Sequence, residues 1–266
     1  MKTNTTCTPQ LRVLIADDNP VSQMFAARLL ERQGHSAHVV ANGSLAVDAI
    51  LDQDFDLVLM DLSMPVMDGF EAVRQLRERE QSIGFCVPVI ALTSSNSIED
   101  REKCLTAGMD DFVSKPMQAG DLESALARIL KDQSCNSTEA ESSHSDSTES
   151  ETPVVCDLIT ALRRANGDEC FLKQLAEKFL EIIPGQLNEL RISVQKEKWQ
   201  LAADYAHSVK GTVRHFAATA AYEAALRMEL ICSTGNGSVI AQTYLELQYE
   251  VNRLRAELSH QLRQEL

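Results

Sequence analysis

Two hydrophobic periods divide the chain. Up to about residue 132, short apolar runs alternate with amphipathic stretches; after about 154 the spacing is helical throughout. The run 11–16 (LRVLIA) ends in Asp17-Asp18, and Asn19 followed by Pro20 reads as a helix N-cap with proline at the first helical position. A helix to Arg32 is predicted, stopped by Gly34, then a strand over 35–40 and a helix over 44–51. The run 56–60 (DLVLM) ends at Asp61, and a helix covers 69–79. The run 87–92 (VPVIAL) ends at Thr93, followed by a helix over 98–107 closed by Gly108. A short strand over 111–114 precedes Lys115-Pro116, and a last helix covers 121–130.

Strands alternating with helices predict an α/β fold, a doubly wound five-stranded parallel sheet with helices on both faces. The strands are read as apolar throughout, as strands covered on both sides are. Such folds bind ligands beyond the carboxyl ends of the strands. Asp17, Asp18, Asp61, Thr93 and Lys115 all stand where a predicted strand ends, so all five are expected in one crevice.

Residues 133–153 (QSCNSTEAESSHSDSTESETP) carry no aliphatic side chain larger than alanine and read as a flexible acidic linker. Its root-mean-square reach is about 25 Å. Beyond it, Phe171, Leu175, Phe179, Ile183, Leu187, Leu190 and Val194 form one apolar stripe, with Pro184 expected to kink that helix. A second helix over 199–216 turns Ala202, Tyr205, Val209, Val213 and Phe216 inward; a third covers 218–231. Ile240, Tyr244, Leu247, Val251, Leu254 and Leu258 mark a long last helix, and a short helix is expected over 157–164. Short turns between these helices predict an all-α four-helix bundle. The expected domains are therefore 10–132, a linker over 133–153, and 154–266.

The net charge of −14 lies almost wholly in residues 1–153. A surface of that sign repels phosphate backbones and anionic lipid, so neither nucleic acid nor a membrane surface is an expected partner. The seven cysteines are scattered without a CxxC pair, which fits free thiols in a reducing compartment. No apolar leader and no 18-residue apolar run is present, so the expectation is a soluble cytoplasmic protein without membrane insertion.

Three carboxylates at adjacent strand ends repel one another unless a cation joins them, and an all-oxygen site favours magnesium. A carboxylate beside magnesium is suited to attack phosphorus and form an acyl phosphate. Lys115 and the Thr93 hydroxyl would meet the phosphoryl oxygens. The order of Asp17-Asp18, DLSMPVMDG from Asp61 to Gly69, ALTS ending at Ser94, and DFVSKP from Asp111 to Pro116 resembles the receiver domain of two-component response regulators, over residues 10–132. That resemblance implies a flavodoxin-like fold with Asp61 as phosphoacceptor. It also implies Mg2+ held by Asp18 directly, by Asp17 through water, by Asp61 and by the Ser63 carbonyl. Thr93 and Lys115 would contact the phosphoryl group. Phe112 takes the aromatic switch position; its ring keeps the rotamer switch but lacks a tyrosine's hydroxyl, and simple core packing is the competing reading.

His35, His38, His144 and His260 have no chemical neighbours in the pattern and read as surface or packing residues. His207 differs. It shares a helix face with Lys210 and Gly211 at i+3 and i+4. Gly211 costs about 1 kcal/mol in a helix interior, a reason to expect another backbone close to the imidazole. Lys210 and Arg214 are read as outward cations that would stabilise a phosphoryl group on the ring. The segment AHSVKG, Ala206 to Gly211, resembles the HxxKG core of histidine-containing phosphotransfer (HPt) domains, over residues 155–262. The resemblance makes His207 the phosphohistidine; Gly211 and Arg214 are read from their helix face as docking residues. His215-Phe216-Ala217-Ala218 departs from that family's usual continuation, and His215 reads as a partly buried helix-end residue, with a second imidazole near the site as the competing reading.

No kinase nucleotide-binding box and no Walker lysine motif is present, so direct use of ATP is not expected. The resulting expectation is a phosphorelay protein, with phosphate passing from an upstream histidine kinase to Asp61, and on His207 to a downstream response regulator. The receiver would catalyse its own phosphorylation and dephosphorylation. Tethering gives an effective concentration on the order of millimolar for an intramolecular middle step. The reverse flow makes the receiver a phosphate sink. Two other readings stand beside the relay: a phosphorylation-switched binding module whose bundle docks partners, and a dimerisation protein using the stripe from Ile240 to Leu258. Met1 with a short polar lead weakly favours a complete protein over the tail of a hybrid kinase.

Overall fold

The computed structural model describes residues 10–83, 86–93, 97–132 and 155–264; the expected linker, Ser94, Cys7, Cys135 and His144 lie outside them. The chain forms two compact units, Met1–Ile129 and Leu130–Leu266. No helix among the described residues is long and apolar enough to cross a membrane. Cys86, Cys104, Cys156, Cys170 and Cys232 are free thiols.

The first unit runs β1 (Arg12–Ala16), α1 (Pro20–Arg32), β2 (Ser36–Val40), α2 (Gly43–Asp52), β3 (Leu57–Asp61), α3 (Gly69–Ile83), β4 (Val89–Thr93), α4 (Ile98–Thr106), β5 (Asp111–Ser114) and α5 (Ala119–Asp132). The strands form one parallel sheet in the order β2-β1-β3-β4-β5. Helix starts are set by side-chain caps: Asn19 accepts from the Val21 and Ser22 N–H groups, Asn42 from Leu45, and Ser97 from Asp100. Gly34 and Gly108 end α1 and α4 at φ 85° and 93°, a region that costs other residues a steric clash.

β3 and β4 are buried along their whole length, and β1 everywhere but Arg12. β2 departs from the expectation of wholly covered strands: its residues are half-buried or exposed. It lies at the sheet edge, where one side has no neighbouring strand and the flanking helices give less cover. In this strand order the chain reverses between β1 and β3, which opens the crevice at their carboxyl ends.

The second unit holds α6 (Leu158–Arg164), α7 (Glu169–Gln195), α8 (Trp199–Arg214), α9 (Thr219–Cys232) and α10 (Gly237–Gln264). α8 packs on α7 and α9, and α10 on α9 and α7, so the four long helices close around one core. α7 runs through Pro184. Its predicted stripe is buried except for a half-buried Val194. Phe179 and Phe216, both fully buried, meet edge to face at 5.1 Å between centroids. The inward face of α8 is broader than predicted. Ala206, Ser208, Lys210 and Thr212 are buried with the stripe, while Tyr205 is only half-buried. The stripe from Ile240 to Leu258 is buried inside the bundle, which takes up the surface a coiled-coil reading required.

Candidate functional site

Asp17 ends one residue beyond β1 and Asp61 is the last residue of β3, so parallel neighbours deliver both carboxylates to one end of the sheet. Oxygens of Asp17, Asp18 and Asp61 lie within 4.8 Å of one another. Lys115, just past β5, places its Nζ 2.7 Å from Asp17 Oδ2 and 2.6 Å from Asp61 Oδ2. The Asp17 and Asp61 side chains are only 1% and 6% exposed, so these charges interact with little solvent screening.

Each group is held by backbone. The Asn19 N–H donates to Asp17 Oδ1 at 2.8 Å, and the Ser63 N–H to Asp61 Oδ1 at 3.3 Å. The Lys115 N–H donates to the Thr93 carbonyl at 2.7 Å, which sets Thr93 and Lys115 beside each other across the ends of β4 and β5. The Lys115-Pro116 bond is cis. Burial, resisted by Lys115, pushes the Asp17 carboxyl up to about 6. Burial would lower the Lys115 ammonium, but Asp17 and Asp61 outweigh it and hold the group above its usual range. Phe112 on β5 is half-buried against the sheet's core, with the Arg101 guanidinium 5.3 Å above its ring.

The bundle carries a second polar cluster. His207 Nδ1 lies 2.7 Å from Glu229 Oε1, and Lys210 Nζ donates to Glu229 Oε2 at 2.6 Å. An ionised carboxylate only accepts, so Nδ1 carries a proton in this contact, and in the neutral ring Nε2 is then the nitrogen that holds the lone pair. Burial would raise the Glu229 carboxyl, but the hydrogen bonds from His207 and Lys210 outweigh it and hold it below the ordinary glutamate range. The imidazole remains accessible, its side chain 24% exposed.

Lys210 departs from its predicted outward position: its side chain is 8% exposed and bound to Glu229. The reason is close packing of α9, whose buried face is built from Ala221, Ala224 and Ala225 and reaches over that side of α8. Glu229 itself was not picked out by sequence reasoning. The signal was present as a carboxylate bordering the buried stripe of α9, the partner that a buried Lys210 requires. Arg214 is half-buried, its guanidinium 5.5 Å from the Tyr222 ring centroid, and its carbonyl accepts from Arg164 at 2.8 Å. Gly211 is half-buried, and His215 is buried at the end of α8.

The sequence matches the response regulator receiver domain over residues 13–127 and the Hpt domain over residues 174–262. One polypeptide thus carries a receiver domain and an Hpt domain. The receiver–Hpt chain is 28% identical to the sensor protein GacS of Pseudomonas syringae over 255 residues, 92% of this chain and 27% of that protein. It is 26% identical to the virulence sensor protein BvgS of Bordetella pertussis over 223 residues, 82% of this chain and 18% of that one. Among solved structures it matches the receiver domain of the sensor histidine kinase PA1611 of Pseudomonas aeruginosa, which has a magnesium ion coordinated in its active-site cleft. That match has 38% identity and TM-score 0.41, covering 45% of this chain and 97% of that one. The chain thus spans about a quarter or less of the two sensor proteins' length.

Proposed function

We propose that this chain is a cytoplasmic phosphorelay component, with a receiver over 10–132, a linker over 133–153 and an Hpt bundle over 154–266. The observation that carries the reading is the crevice: three carboxylates within 4.8 Å of one another, one of them Asp61, with Lys115 against it.

The donor set fits a hard dication. Three buried or half-buried carboxylates, with no histidine or cysteine in the cluster among the described residues, suit magnesium. Asp17, Asp18, Asp61 and the Ser63 carbonyl would hold it, and when bound it supplies positive charge against the phosphoryl oxygens. An Asp61 carboxylate oxygen forms the new bond to phosphorus while the nitrogen–phosphorus bond of the donor's phosphohistidine breaks and its electron pair returns to the ring. Lys115, displaced from Asp61 by the incoming group, donates to a phosphoryl oxygen, and the Thr93 hydroxyl donates to another. Phe112 is the aromatic element positioned to register the change.

In the second step the His207 Nε2 lone pair attacks phosphorus and the Asp61 acyl phosphate bond breaks. Glu229 holds the ring by its Nδ1–H through both states, and Lys210 steadies Glu229. Gly211 and Arg214 lie on the face toward an incoming receiver. The partners are an upstream histidine kinase and a downstream response regulator.

The test is to incubate the full chain with magnesium and acetyl phosphate and map the label. Expected are a base-labile label on Asp61 and an acid-labile label on His207. His207→Gln should keep the first and lose the second; an Asp61→Asn chain that still labels its receiver overturns the assignment.

A further inference from the structure

Gly43, the first residue of α2, is remote in sequence from the crevice residues, yet it touches the loop that leaves Asp61. Its N–H donates to the Met67 carbonyl at 3.0 Å. The same loop is closed at its base by the Gly69 N–H, which donates to the Leu62 carbonyl at 3.1 Å. A side chain at Gly69 would overlap the Asp61 carbonyl oxygen. The loop has little slack between these ties. Val66 stands at its apex with φ 70°, unusual for a β-branched residue, and the Met67 N–H donates to the Pro65 carbonyl at 2.8 Å.

A Cβ added at Gly43 would lie 2.7 Å from the Met67 oxygen, 2.8 Å from the Ala72 Cβ and 3.0 Å from the Asp68 oxygen. Two of these three are backbone atoms, which cannot rotate aside. α2 has little room to retreat, since Asn42 caps it through Leu45 and Gly43 is buried. Asp68 is tied to α3 through the Glu71 and Ala72 N–H groups, so displacement passes along the loop toward Leu62 and Ser63. The Ser63 N–H is the backbone contact that orients Asp61.

We propose that Gly43 is a positioning residue for the Asp61 centre: its missing side chain sets where the loop carrying Ser63 lies. This rests on the magnesium-dependent receiver reading above. The test measures magnesium binding to the full chain by calorimetry, together with Asp61 labelling by acetyl phosphate.

Gly43→Ala should bind magnesium about tenfold more weakly, the size typical of residues that orient metal ligands. It should also label more slowly at subsaturating metal. Gly120→Ala, with nothing within 4 Å of the added carbon, should match the wild type. A folded Gly43→Ala chain with wild-type magnesium affinity overturns the proposal and leaves the glycine a packing residue. If Gly43→Ala does not fold, the Gly43→Ala/Ala72→Gly chain decides, since it removes the helix–helix contact and keeps the loop contacts. A folded double variant with weak magnesium binding supports the proposal; restored affinity, or a failure to fold, overturns it. A wild-type chain that binds no magnesium instead sinks the receiver reading itself.

Discussion

In the receiver crevice several carboxylates share one ammonium; in the bundle one carboxylate is shared by an imidazole and an ammonium. Asp17, Asp18 and Asp61 carry up to three negative charges against Lys115, so that group of four is short of positive charge. Glu229 and Lys210 balance without help, and Glu229 also orients the His207 ring through Nδ1. On the proposed reading, the difference separates two ways of preparing a group for phosphorus. The surplus of negative charge in the crevice favours uptake of a cation from solution. The bundle is complete as folded, and its histidine is oriented by a partner that is already satisfied.

Removing Asp61, the proposed nucleophile, should give the largest effect. Asp61→Asn should reduce acetyl phosphate labelling of the receiver to background, while Lys115 keeps its contact with Asp17 and the fold survives. Mass mapping of the label, with circular dichroism as the check on folding, reads both.

The shared ammonium comes next. Lys115→Met leaves two nearly buried carboxylates without their counter-charge, which should destabilise the metal-free receiver by about 3 kcal/mol. Magnesium should restore much of that. The one tryptophan, Trp199, and the four tyrosines all lie in the bundle. Urea unfolding followed by Trp199 fluorescence therefore reports the bundle alone, whereas far-ultraviolet dichroism reports both units. The variant should move the second signal and leave the first in place. Movement of the fluorescence midpoint would mean that the stabilities of the two regions are coupled.

The two regions also differ in what their sequences disclose. The crevice was legible because a parallel sheet sends every strand's carboxyl end to one side, so Asp17, Asp18, Asp61 and Lys115 could be gathered from the expected strand ends. β2 was misjudged because Ser36–Val40 is apolar enough to suit a covered strand, and position in the sheet, not composition, decides its exposure. In the bundle, helical spacing around His207 gave its neighbours on one helix but not those on the next. Glu229 reaches His207 across a helix pair, and its partner depends on the register between α8 and α9. The direction of Lys210 was missed for the same reason: the alanines of α9 allow a close approach that no pattern within α8 records.

Glu229→Gln tests whether the bundle cluster is complete as folded. The amide still hydrogen-bonds, but it leaves the buried Lys210 ammonium without a counter-charge, at a cost of about 2 kcal/mol to the bundle. Trp199 fluorescence in urea measures it. The wild-type pH profile should agree. The folded Glu229 carboxyl sits below its unfolded value, so its contribution is present above the ordinary glutamate range and lost as pH falls through the folded value. Glu229→Gln should lack that component of the acid dependence. An unchanged profile would mean that Glu229 does not stabilise the bundle through its charge.

The smallest effect sharpens the comparison most, because it is expected in one region and absent from the other. A ligand bound only by the folded state stabilises by RT ln(1 + [L]/Kd), about 1.4 kcal/mol at ten times Kd. Magnesium at that level should raise the receiver's unfolding free energy by this amount, moving its midpoint up, and leave the Trp199 midpoint where it was. With Asp17→Asn/Asp18→Asn the receiver shift should vanish as well, because the remaining carboxylate cannot hold the ion alone. A magnesium shift in the bundle would show that its balance of Glu229 against Lys210 and His207 is not self-contained. A receiver shift that survives loss of both aspartates would place the ion somewhere other than the ends of β1 and β3.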